Sequence, residues 1–343
     1  MKPGGTSTLQ RRNALIGGAF WIVAGVYCAL TSFDSSLGLI ELLLLFGPLV
    51  AVPGGLAMVM GGQALRGQAL LGLLVLPAAV CAIAGRCLAP ELDAPADGSI
   101  HYLPAALCLP WLLVTGLVAL LGLQRIFKRG LAPIEETAID AGLLYLPVGG
   151  GWMVISSAGV VPSILQGLEG NLQEIVLLTA VHFHFAGFSA AVIAGLAGRA
   201  LRESVSSSES ARSLALGAFR FAAAIVIIGP PLVAVGIMAS PIVEVISGVA
   251  LSLGMLTLAF VLVLIALFSG PGLLPKVLLC AAALSLTATM ALSTTYAMGE
   301  YMYPGADKLI PNHLMAATHG VVNVLGFTLC GGLGLFLLRR KGQ

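Results

Sequence analysis

Long apolar runs recur ten times along this chain, separated by short polar stretches. A helix needs about 20 apolar residues to cross the hydrocarbon core of a bilayer. Runs of that kind predict spans at 13–31, 38–62, 68–88, 103–126, 138–160, 172–198, 214–236, 241–268, 273–296 and 311–338. The runs are continuous and do not alternate with period two, which sets aside a membrane β-barrel. The expected fold is therefore all-α, a polytopic transmembrane helical bundle of about ten spans. No polar stretch is long enough for a soluble domain, so residues 1–343 read as a single integral membrane domain. Six spans fall within 13–198 and four within 214–338. Between them lies a linker, 199–213, whose stretch Glu203-Ser-Val-Ser-Ser-Ser-Glu-Ser210 is flexible by composition. The first run, Ala14 to Leu30, is long for a signal peptide and has no convincing cleavage site after it, so it is read as a span.

Composition strengthens the membrane reading. Hydrophobic residues make up 58% of the 343 and charged residues 9%, with a mean hydropathy of +1.02. A soluble domain carries roughly 25% charged residues, so this chain cannot cover a globule with polar surface. The net charge of +2 matters less than where the cations lie. Arg11, Arg12, Arg66, Arg125, Lys128, Arg129, Arg199, Arg202, Arg212, Lys276, Arg339, Arg340 and Lys341 fall on one side of a ten-span arrangement. Asp34, Glu91, Asp93, Asp97, Glu169, Glu300 and Asp307 fall on the other, with Arg86 and Lys308 as exceptions. Lysine and arginine mark cytoplasmic loops, so both termini are expected in the cytoplasm. No charge tract points to nucleic acid. Cys28, Cys81, Cys87, Cys108, Cys280 and Cys330 form no CxxC pair and read as small residues within apolar runs.

Polar groups inside a membrane are costly and usually have partners in the bundle interior, so the few present are the candidates for function. In Ala180-Val-His-Phe-His-Phe-Ala-Gly-Phe188, His182 and His184 lie near mid-membrane. Residues two apart on an α-helix point about 200° apart, so these imidazoles should face different neighbours unless the helix is bulged. In Thr318-His-Gly-Val-Val-Asn-Val-Leu-Gly-Phe327, His319 and Asn323 are four apart and share a helix face. Asp140 enters span five, read either as a membrane acid or as a helix N-cap. Tyr145, Pro147, Gly149, Gly150, Gly151 and Trp152 follow, and the proline and glycines are expected to loosen the helix beside a cavity. Glu41 and Glu244 sit just inside the outer ends of spans two and eight, and Tyr296 belongs to an aromatic outer rim.

The segments Ile40-Glu41-Leu-Leu-Leu-Leu-Phe-Gly-Pro48, Asp140 to Trp152, His182 to Phe188 and His319 to Phe327 together resemble the YndJ-like family of bacterial integral membrane proteins. The resemblance implies a multi-span helical protein of the bacterial cytoplasmic membrane and implies little chemistry. Val181-His-Phe-His-Phe185 is locally similar to the HFHY stretch of haem–copper oxidases, where two histidines of one helix ligate two haems. This chain lacks that family's Trp…Gly-His-Pro-Glu-Val stretch, which excludes an oxidase.

Three functions fit these residues. The leading expectation is an intramembrane enzyme that isomerises, cyclises or opens an epoxide in a lipophilic small molecule and needs no cofactor. His184 and His319 would exchange protons, with His182 also counted among the catalytic candidates. Asp140, Glu41 or Glu244 would act as acid or orient an imidazole. Asn323 would hold a substrate oxygen, and Tyr145, Trp152 and Tyr296 would line the site. The second is a transporter of a small solute. The third, a minor one, is a haem protein ligated by His182 or His184 together with His319.

Overall fold

The computed structural model describes residues 5–30, 38–60, 67–90, 99–166, 171–204, 209–270, 272–303 and 309–341. Ten helices among these are long and apolar enough to cross a membrane. They are α1 (Ser7–Leu30), α2 (Leu39–Val59), α3 (Gln68–Cys87), α4 (Tyr102–Arg129), α5 (Ile134–Ser157), α6 (Leu172–Glu203), α7 (Arg212–Met238), α8 (Pro241–Phe268), α9 (Leu273–Gly299) and α10 (Asn312–Arg339). Each coincides with one apolar run, and no strand occurs among the described residues. Leu113, Phe127 and Leu284 are among the many large apolar side chains on the outside of these helices, as expected where lipid is the solvent. Of the residues that set the charge pattern, Asp34, Arg66, Glu91, Asp93, Asp97, Glu169, Asp307 and Lys308 lie outside the described residues. So do residues 205–208 of the linker 199–213; helix continues to Ser204 before them and resumes at Glu209.

The chain forms two compact units. The first comprises residues 1–128 and 143–188, hence α1 to α3, nearly all of α4, the second part of α5 and the first part of α6. The second comprises residues 129–142 and 189–343, hence the start of α5, the rest of α6, and α7 to α10.

Helix packing in lipid relies on small residues that admit close approach, because apolar burial gives no net drive. In the first unit α1 crosses α2 at Gly17, where a Cβ would lie 1.9 Å from the carbonyl oxygen of Leu49. Pro53, four residues on, has no N–H to offer that carbonyl. Around it α2 carries a π-helical turn, Gly47–Ala51. Gly17→Ala is expected to destabilise the purified protein by about 1–3 kcal/mol, read from denaturant unfolding in detergent. Gly18→Ala, which meets nothing within 4 Å, serves as the control and should leave stability unchanged. Equal effects at the two positions would show that the crossing does not form.

Among the described residues two more helices carry π-helical interruptions. In α6 the interruption is Phe183–Ser189. In α10 it fills the middle of the helix, at Ala316–Gly320 and Val322–Leu329. Such widened turns are uncommon and concentrate at functional sites. By contrast α5 stays α-helical from Ile134 to Ser157. The loosening expected at Pro147 and the three glycines does not occur; Gly149 and Gly150 serve close packing instead, while Gly151 meets nothing within 4 Å.

Candidate functional site

In the first unit the fully buried His184 is the centre of a polar contact in an apolar surround. It sits between two glycine backbones, where a Cβ on Gly47 would come within 3.0 Å of its ring and one on Gly149 within 2.7 Å. Its Nδ1 lies 2.8 Å from the carbonyl oxygen of Ala180. The Trp111 indole N–H donates to its Nε2 at 3.0 Å. A carbonyl only accepts and an indole only donates, so the ring is the neutral Nδ1–H tautomer with both nitrogens in use. While the Trp111 bond stands, His184 has no lone pair for an iron, and it does not fit a haem ligand.

His182 faces the other way, as the 200° rule requires, and it corrects the expectation of a second interior imidazole. Its side chain is exposed, and Nδ1–H donates to the carbonyl oxygen of Leu178 at 2.7 Å. The internal bond satisfies the nitrogen that would otherwise meet hydrocarbon. Tyr145 packs edge-on against Phe183, with ring centroids 6.3 Å apart, and Trp152 is half-buried.

The first unit also holds a buried ionic cluster. Arg86, in the last turn of α3, donates from Nη1 to Ser156 Oγ at 3.1 Å and Ser157 Oγ at 3.2 Å. Its Nη2 donates to Glu41 Oε1 at 3.3 Å. Arg86 and Glu41 are 1% and 6% exposed, and Cys108 Sγ lies 3.2 Å from Ser157 Oγ. Glu41 is thus a buried, paired acid, not an interfacial one. Arg86 departs from the charge pattern because it is an interior residue and belongs to no loop.

In the second unit Asp140 is fully buried and accepts a bond from Arg129 Nη2 at 2.6 Å. It stands well inside α5, six residues after Ile134, which removes the N-cap alternative. Four and five residues nearer the helix start, Glu136 is gripped by Arg199 at 2.5 and 2.7 Å, and Glu135 by Arg202 at 2.5 and 3.1 Å. These bidentate pairs join α5 to the end of α6, where Gly195 lets the backbone of Glu135 approach.

The polar strip read from α10 forms against α9. His319 Nδ1–H donates to the carbonyl oxygen of Thr289 at 3.0 Å. The Thr289 hydroxyl lies 3.1 Å from the Asn323 side chain and 2.8 Å from the carbonyl oxygen of Ser285. Gly326, where a Cβ would meet Ser285 Oγ at 1.9 Å, makes the approach feasible. His319 and Asn323 are half-buried, while Val322 and Leu325 beside them are each 37% exposed. Tyr296 donates to Asn312 Oδ1 at 3.0 Å, tying the end of α9 to the start of α10. Glu244 is half-buried in the first turn of α8, where a helix N-terminus favours an acid. So the second unit gathers His319 and Asn323 about Thr289, and the first unit holds His184 and Glu41 at two separate contacts.

The family model described as YndJ-like protein matches residues 42–327. The chain belongs to the YndJ-like family. A relative from Bacillus subtilis (strain 168), named uncharacterized membrane protein YndJ, is 30% identical over 224 residues, which is 65% of this chain. The alignment covers 37% of that relative's own length. No solved structure matches the chain. This YndJ-like chain is accordingly a multi-pass protein of the cell membrane. The matched region holds Arg86, Asp140, His184, His319 and Asn323, and it begins one residue after Glu41. Trp111, Thr289, Ser156 and Ser157 were missed in the sequence of this YndJ-like protein. Each is an ordinary span residue until folding sets it beside a histidine or an arginine.

Proposed function

We propose that the protein is an intramembrane acid–base enzyme acting on a lipophilic small molecule, with His319 moving the proton and Asn323 holding a substrate oxygen. One observation carries the reading. His184, Glu41 and Asp140 are each buried and engaged by Trp111, Arg86 and Arg129. His319 is also partnered, through Thr289, but stands half-buried on a helix face that shows Val322 and Leu325 to the outside. Its Nδ1–H is committed to Thr289, which makes Nε2 the basic nitrogen. A substrate arriving from the lipid would meet a base and an amide in one strip, braced from behind by the buried Thr289 hydroxyl. Isomerisation and cyclisation need only proton addition and removal, and epoxide opening adds water, so no cofactor enters.

The test is extraction and mass analysis of compounds that co-purify with the full chain, followed by incubation of those compounds with it. Conversion should fall by about 100- to 10,000-fold in His319→Ala, with the helical content and melting profile kept. A variant that retains the same compounds and converts them at the original rate sinks the proposal. A second reading, carriage of a small solute, is favoured by the π-helical breaks in α2, α6 and α10, since interrupted helices line transport pathways. It predicts that the compound is released unchanged.

A further inference from the structure

We propose that one edge of the Arg86 guanidinium in the first unit is a binding site for an oxyanion, the carboxylate or phosphate group of a ligand. The inference is independent of the role of His319.

A guanidinium offers five N–H groups in a fixed plane. The Nε–H and one Nη2–H are parallel and form the edge that grips a carboxylate or phosphate with two bonds. In Arg86 the opposite nitrogen, Nη1, is spent on Ser156 and Ser157. The Nε/Nη2 edge donates one bond of 3.3 Å, from Nη2 to Glu41 Oε1. Its Nε–H is buried and has no hydrogen-bond acceptor among the described residues.

Three other ion pairs among the described residues provide the comparison. Arg199 and Arg202 each take both oxygens of a glutamate, with shortest contacts of 2.5 Å. Arg129 meets Asp140 at 2.6 Å. Arg86, the most deeply buried of these four arginines, is the one held most loosely by its carboxylate. A buried charge-bearing donor left unmade is costly, so this edge retains binding capacity that Glu41 does not use. The serine hydroxyls hold the guanidinium plane from the far side, which keeps the edge fixed while Glu41 is displaced. Glu41 lies in the first turn of α2, where the helix N-terminus supports its charge when the arginine is taken by another anion. An incoming oxyanion therefore takes the unused Nε–H and competes with Glu41 for Nη2.

Competition yields a test that a purely structural ion pair fails. The purified full chain is titrated with sodium phosphate, with dodecyl phosphate and with dodecanol, at ionic strength matched by sodium chloride, and thermal unfolding gives the dissociation constants. Glu41→Gln keeps the side-chain shape and removes the competing charge, so it should bind the anion about tenfold more tightly. Arg86→Lys keeps the charge and loses the fork, so it should bind about tenfold more weakly. A gain in Glu41→Gln cannot come from misfolding, which keeps the test decisive even if Arg86→Lys folds poorly. Stabilisation by inorganic phosphate identifies a free anion as the ligand. Stabilisation by dodecyl phosphate alone, with dodecanol inert, identifies an amphiphile headgroup. The proposal is overturned if neither phosphate stabilises the unmodified chain or Glu41→Gln. It is equally overturned if dodecanol matches dodecyl phosphate and inorganic phosphate is inert.

Discussion

His184→Ala is expected to lower the unfolding free energy by about 3–5 kcal/mol. The imidazole is fully buried between the Gly47 and Gly149 backbones. Its loss opens a cavity that two helices, already at contact distance, are too rigid to fill. It also orphans the Trp111 N–H, which sits at 0% exposure with His184 Nε2 as its acceptor. Each effect alone costs about 1–3 kcal/mol. Trp111→Phe keeps most of the ring volume and removes only the donor, so it should cost about 1–2 kcal/mol. The measurement is equilibrium unfolding in mixed detergent, followed by tryptophan fluorescence for His184→Ala and by circular dichroism for Trp111→Phe. A loss under about 1 kcal/mol for His184→Ala would show that the histidine is not the keystone of this contact.

Arg86→Met should be about as severe, at roughly 3–5 kcal/mol, because it leaves the Glu41 carboxylate buried without its cation. Methionine fills similar volume, so the loss reports charge rather than a cavity. The double variant Arg86→Met, Glu41→Gln removes both charges and should recover most of the stability. Additive losses in the cycle would mean that the two side chains do not interact. The same cycle separates this structural cost from the anion response, since the cost concerns the empty protein and the response its ligand.

Asp140, His184 and Glu41 were visible in the sequence because an ionisable residue in an apolar run is conspicuous. Their partners were not visible to the same degree. Arg86 lies close enough to a span end to pass for a loop residue, and only the packing of Ser156, Ser157 and Glu41 around it shows it to be interior. The strip of His319 and Asn323 was legible from its four-residue spacing. That it borrows Thr289 from α9 was not, because a threonine in a span is usually bonded to its own helix, as this one also is.

The ten spans follow from the chain alone. Length and apolarity are local properties, and the bilayer demands both within each segment. The opposite facings of His182 and His184 are equally local, since helical geometry sets them. Which of the two is buried, which acid meets which arginine, and where α2, α6 and α10 widen into π-turns were decided only by tertiary packing. Those outcomes depend on which helices become neighbours, and a span's own residues carry almost no record of that.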